Sequence, residues 1–212
     1  GVQMVQDVLP WEQMKLRMLN GSHSFLAYLG YLAGYAHINE CMEDEAFRQA
    51  ARRLMLDEQA PTLRITDVDL TAYADSLLDR FANPALQHRT WQIAMDGSQK
   101  LPQRMLDGIR IHLERQSAWP LLALGVAGWI RYVSGTDEQG NTIDVRDPLS
   151  DKIHAKVEAS NDANRVNALL TLSEVFGHDL AQNHVFVESV NQAYQRIARL
   201  GARQAVIETL NL

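Results

Sequence analysis

The sequence holds a single cysteine, Cys41, in 212 residues. One thiol cannot close an internal disulfide, so a reducing, cytoplasmic compartment is expected. Long apolar runs are missing too. The longest, Leu121 to Ile130, falls far short of the roughly 18 residues that cross a bilayer, which argues against a membrane role. Positive charge is scarce, with 20 Lys+Arg against 26 Asp+Glu and a formal net charge of -6. A nucleic-acid partner needs a basic face to displace counterions, so that class is disfavoured.

Nucleotide and hydrolase signatures are absent as well. No strand is followed by Gly-x-Gly-x-x-Gly, and there is no Gly-x-x-x-x-Gly-Lys-[Ser/Thr], Gly-x-Ser-x-Gly or His-Glu-x-x-His. Gly125 and Gly128 sit inside an apolar stretch and form no phosphate cradle. The seven methionines are scattered without metal-ligand spacing. No metal site and no cofactor-binding residue is expected in this chain.

What remains is an ordinary globular composition, 46% hydrophobic and 22% charged, long enough for one domain or two small ones. Apolar residues recur at helical spacing almost throughout, so the fold class is all-α, multi-helical. Helices are expected over Pro10 to Tyr35 with a kink near Gly21, Glu43 to Gln59, and Asp69 to Phe81. Leu86 to Asp96 follows, broken at Gly97 and resuming after Ser98, a possible N-cap, towards His112. Trp119-Pro120 opens a mostly apolar helix to Val133, placed centrally because it has little polar face. Gly135 to Arg146 is polar turn chemistry that can hold a short hairpin. Asp147-Pro148 then caps a helix to Ala159, followed by Ala163 to Phe176 (capped by Asn161 or Asp162), Asn183 to Leu200, and a tail from Ala202.

The chemistry-bearing stretch is Lys15-Leu16-Arg17-Met18-Leu19-Asn20-Gly21-Ser22-His23-Ser24. On an α-helix Lys15, His23 and Asn20 lie at about 0°, 80° and 140°, so one face can present all three. A lysine pressed into an apolar wall loses solvation of its ammonium form and becomes competent to take a proton from an alcohol. An asparagine amide can donate to an oxygen that gains negative charge, and a histidine can orient a hydroxyl. The plainer reading stands beside it. Lys15 and Arg17 snorkel from a surface helix, Asn20-Gly21-Ser22 is a local break, and His23 is structural.

A second polar run, His88-Arg89-Thr90-Trp91-Gln92 and Asp96-Gly97-Ser98-Gln99-Lys100 with Arg104, gathers basic groups that can receive an anion, or is a capped, solvated junction. Trp91, Trp119, Trp129 and Tyr132 are assigned to core or interface, and Cys41 to structure.

The first run resembles the Lys-x-x-x-x-Asn-x-x-His motif of the mannitol dehydrogenase family of long-chain polyol and hexuronate dehydrogenases. Met95-Asp96-Gly97-Ser98-Gln99-Lys100-Leu101-Pro102 is similar to that family's second C-terminal signature. The likeness runs through Gly125-Val126-Ala127-Gly128-Trp129 to Asp147-Pro148. It implies an all-α C-terminal domain, like that of 6-phosphogluconate dehydrogenase, spanning 1–212. The partner it implies is an N-terminal Rossmann domain of the same polypeptide that binds NAD and supplies a second oxyanion asparagine. A sequence opening at Gly1 rather than methionine is then expected to be one part of a longer enzyme. By the same resemblance Lys15 is the general acid/base, Asn20 an oxyanion donor and His23 the substrate orienter. Lys100 matches a substrate-contacting position, while Gln92 stands where polyol members carry an arginine. A hexuronate carboxylate needs a cation, and Lys100, Arg89 and Arg104 are the candidates. The rival readings are a polyol enzyme of the same family and, from another class, a non-catalytic helical interaction or dimerisation module.

Overall fold

The structure, a computed structural model, describes residues 2–212, and side chains from residue 8 onward; Gly1 lies outside them. The chain is helical along nearly its whole length, as its periodicity requires. The only β pairing among the described residues is two isolated bridges, His37 with Arg89 and Thr136 with Thr142.

The first helix differs from the expectation at both ends. It begins as α1 (Val2–Met14), with Pro10 inside rather than at the first turn. It then widens into a π-helical turn, Lys15–Asn20, and continues as α2 (Gly21–Leu32). Where a kink was expected near Gly21, the chain changes helix type, with Gly21 itself in ordinary helical dihedrals. At Gly21 the backbone N–H reaches back five residues to Leu16 O.

The second expected helix, Glu43 to Gln59, is present from Glu45 onward, and a short helix that was not expected precedes it. Asp44, in an extended conformation, ends α3 (Ile38–Glu43) and caps α4 (Glu45–Arg53) by accepting from Ala46 N. A second π turn, Leu54–Gln59, and a short 3-10 turn, Ala60–Thr62, follow. α5 (Leu70–Ala82) matches its expectation within a residue, because Asp69 accepts from Ala72 N at its start.

The stretch 86–96 is helical only over α6 (Thr90–Ala94). Pro84–Leu86 is a 3-10 turn and Gln87 is left-handed, which ends it. The break falls at Asp96, also left-handed, and α7 (Gly97–Leu101) starts directly after it. Ser98 is therefore inside a helix and is no N-cap. Its own N–H and hydroxyl donate to Asp147, far along the chain, at 2.9 and 2.5 Å. A third π turn, Pro102–Leu106, leads into α8 (Asp107–Arg115).

α9 (Pro120–Val133) is central, as its apolar sequence demands, with all but Pro120 and Arg131 buried. It packs against α2 and against α13 (His184–Leu200). Asp147 is spent on Ser98 and Leu149 N, so α10 (Ser150–Glu158) begins two residues later than expected. Ala163 to Phe176 is not one helix. α11 (Arg165–Leu170) and α12 (Ser173–Gln182) replace it, and Gly177, at φ 67°, bends α12 in a conformation glycine tolerates. Asn161 caps the preceding turn through Ala163 N, and Asp162 instead accepts from Tyr194 Oη. α13 follows the sequence expectation, with Asn183 accepting from Phe186 N, and α14 (Ala202–Leu210) closes the chain. The Gly135 to Arg146 loop turns at Asp137–Gly140 and forms the single bridge Thr136–Thr142, a hairpin without extended strands.

Candidate active site

The Lys15–Asn20 turn changes the geometry expected of its side chains. On an α-helix residues five apart are about 140° out of line. In a π turn residue i+5 is the hydrogen-bonded neighbour of residue i, so Lys15 and Asn20 follow one another along one face. Lys15 is exposed and Asn20 half-buried. The apolar wall expected around the ammonium is not supplied by this chain. Arg17, expected to snorkel, is buried instead and donates to Thr62 O at 3.0 Å and Thr62 Oγ1 at 3.2 Å.

His23 lies in the first turn of α2. Its ring stacks on Phe81 of α5 at 5.2 Å, 6° from parallel, and meets His88 edge-on at 5.2 Å. Its Nε2 is buried with no hydrogen-bond partner. Burial pushes its pKa down to about 3, helped by His88, Arg104, Lys100 and Arg80. At neutral pH the imidazole is therefore uncharged, with one nitrogen donating and one accepting. That is the form suited to holding a hydroxyl.

Arg104, in the third π turn, reaches across to the first helix. Its guanidinium donates to Ser24 Oγ at 2.9 Å and to Asn20 O at 3.4 Å. Burial lowers its pKa, yet a guanidinium stays charged under all ordinary conditions. Lys100 Nζ donates to Ile93 O at 2.8 Å, and burial and Arg104 lower its pKa against the pull of Asp96 and Asp147. The fold thus gathers Asn20, His23, Lys100 and Arg104 from segments some 80 residues apart in sequence. Arg89 takes another course: it is exposed, with its guanidinium 5.4 Å from the Trp91 ring centre.

His88, Ser24 and Arg80 belong to the cluster although the sequence reading assigned them no role. His88 and Ser24 stood inside the quoted runs, but only the packing of α5 and α6 against α2 shows what they face. Cys41 is buried, and burial pushes its thiol up to about 12, which fits the structural assignment. Trp119, Trp129 and Tyr132 are core. Among the described residues no group of three or more His, Cys, Asp or Glu gathers to hold a metal. No helix among them is long and apolar enough to cross a membrane. Among the described residues there is no strand–glycine loop–helix cradle for a dinucleotide, so these residues do not by themselves fit NAD.

Residues 7–198 match the family model described as the mannitol dehydrogenase C-terminal domain. The chain is 71% identical over its whole length to an uncharacterized oxidoreductase of Escherichia coli (strain K12), of which it covers 43%. It is 58% identical to the D-mannonate oxidoreductase of the same organism over 97% of this chain and 43% of that one. Among solved structures, Pseudomonas fluorescens mannitol 2-dehydrogenase in ternary complex with NAD and D-mannitol superimposes with a TM-score of 0.89 at 32% identity. That match covers 95% of this chain and 41% of that one. The chain therefore spans less than half the length of the curated relatives it matches.

Proposed function

Since this chain belongs to the mannitol dehydrogenase family through its C-terminal domain, we propose that it forms the substrate half of an NAD-dependent oxidoreductase interconverting D-mannonate and D-fructuronate. The observation that carries the sugar acid is the cationic cluster at His23. Arg104, Lys100 and Arg80 all act on one buried, uncharged imidazole. A neutral polyol gives such a cluster nothing to compensate, whereas a carboxylate does. The relative named for D-mannonate is also nearer, at 58% identity, than the solved mannitol enzyme at 32%.

NAD is held by a domain outside this chain and, when bound, accepts or supplies the hydride. This chain handles the proton and the oxygen. The Lys15 amine takes the hydroxyl proton as the alcohol is oxidised, and returns it on reduction. The Asn20 amide donates to the same oxygen while charge develops on it. His23 holds a neighbouring hydroxyl, and Lys100 or Arg104 holds the carboxylate. Arg89 remains the outlying candidate.

The test is steady-state kinetics of the full-length protein. D-mannonate is expected to show a much larger kcat/KM than D-mannitol, and the reverse order would replace this reading with a polyol dehydrogenase. Lys15→Ala is expected to lower kcat by about 10²-fold or more without unfolding the protein. Near-wild-type turnover would remove Lys15 from the base role and favour a non-catalytic helical module. This chain alone is expected to fold and to turn over neither substrate.

A further inference from the structure

Three π turns meet at one side chain. In each, the residue after the turn bonds five residues back: Gly21 N to Leu16 O, Ala60 N to Met55 O, and Asp107 N to Pro102 O. Gln59 ends the second turn and is fully buried. Its Nε2 donates to Arg104 O of the third turn at 2.8 Å. A Cβ at Gly21, directly after the first turn, would lie 2.8 Å from both Gln59 Nε2 and Arg104 O. A Cβ at Gly108 would lie 2.8 Å from Gln59 Oε1. The amide is thus clamped between two glycines, and nothing larger than hydrogen fits on either side. Thr62 Oγ1 donates to Gln59 O at 2.6 Å, and Arg17 of the first turn holds Thr62.

π turns are rare because they give up ordinary helical packing, so each needs something from outside to keep it. Here that support is shared. From this junction we infer that Gln59 is a positioning residue for the Lys15–Asn20 pair. Its amide, keyed into the Arg104 carbonyl and seated on Gly21, keeps the first turn in π register. Reversion to α register would carry Asn20 about 140° away from Lys15 around the axis, and proton acceptor and oxyanion donor would no longer address one oxygen. The same bond fixes the backbone of Arg104, whose side chain reaches Ser24. The inference rests on the role proposed above for Lys15.

Gln59→Met in the full-length enzyme keeps the length of the side chain and removes its donor. It is expected to lower kcat ten- to hundredfold with KM within about twofold, and to move the limb of the pH–kcat profile that reports the base. Wild-type kcat with an unmoved profile would overturn the inference. Gln59→Glu covers the case in which Gln59→Met does not fold. A carboxyl donates to Arg104 O only when protonated, so its kcat relative to wild type should fall as pH rises; a constant ratio overturns the inference. Lys15→Ala, measured alongside, separates the two claims. If Lys15→Ala is inactive and Gln59→Met is wild-type, only the role of Gln59 falls. If Lys15→Ala is active, the base reading falls and takes this inference with it.

Discussion

Glu58 offers a test of how the centre of the domain is held. The side chain is 3% exposed, and its carboxylate faces the start of α9, accepting Leu121 N at 2.9 Å and Leu122 N at 2.8 Å. Two forces oppose each other there. Burial favours the neutral acid, while the two amides and the positive end of the helix favour the anion. Burial wins, and the pKa is pushed up to about 7. A raised carboxyl pKa means the unfolded chain releases its proton first. Stability from this group is therefore complete below about pH 4.5, declines as pH rises, and is gone above about pH 7. The decline is worth on the order of 3 kcal/mol, a large part of the roughly 5–15 kcal/mol that holds a domain folded.

Glu58→Gln isolates the effect. Glutamine does not titrate, although its NH2 cannot accept one of the two amides as the hydroxyl oxygen of the protonated acid still can. Urea unfolding of this chain, followed by circular dichroism from pH 4.5 to 8, should find the variant less stable at the acid end, because one of the two amides loses its acceptor. The Glu58→Gln variant should then gain on the wild type by about 3 kcal/mol by pH 7. If the variant instead loses ground as pH rises, the two amides hold a carboxylate and the reasoning is refuted.

Two further outcomes follow from the site. His23 should be neutral throughout the working range, because burial and its cationic neighbours hold its pKa down to about 3. Its ring resonances should be flat above about pH 4.5, a midpoint near 6 would contradict its burial, and stability should fall as pH drops from about 6.5. Gly97→Ala should destabilise the chain by about 1–3 kcal/mol, because the new Cβ would lie 2.3 Å from Trp129 Nε1 and 2.9 Å from Tyr28 Oη. Thermal unfolding with no loss of melting temperature would show that this packing gives way freely.

Elements with strong local signals are legible in the sequence alone. Asn183 and Asp69 announce their helices because an Asx side chain bonds the next exposed amides wherever the chain goes. α9 was legible from its near absence of polar residues. One error has a clear cause: a cap can be claimed by a distant partner. Asp147 looked like the start of the next helix, yet it holds Ser98 N and Oγ across 49 residues, so both adjacent boundaries moved. The candidate site divides the same way. Lys15, Asn20 and His23 were visible through their spacing in one helix. Nothing local marks His88 as the edge partner of His23, or separates Arg104, which enters the cluster, from Arg89, which turns to Trp91.

Composition and periodicity were enough to establish an all-α domain with its most apolar helix at the centre, and two short motifs were enough to name the family. These are properties of nearest neighbours and of single helices, which carry their own patterns. The π register is of another kind. An isolated helix has no reason to widen at Lys15, and the sequence read as an ideal α-helix put Asn20 about 140° from Lys15, at the far edge of a shared face. The widening exists where Gln59 and Arg104 arrive from other helices and Gly21 leaves room for them. Contacts made across the fold thus set the line from Lys15 to Asn20, because only they repay the bonds and packing that a π turn forgoes.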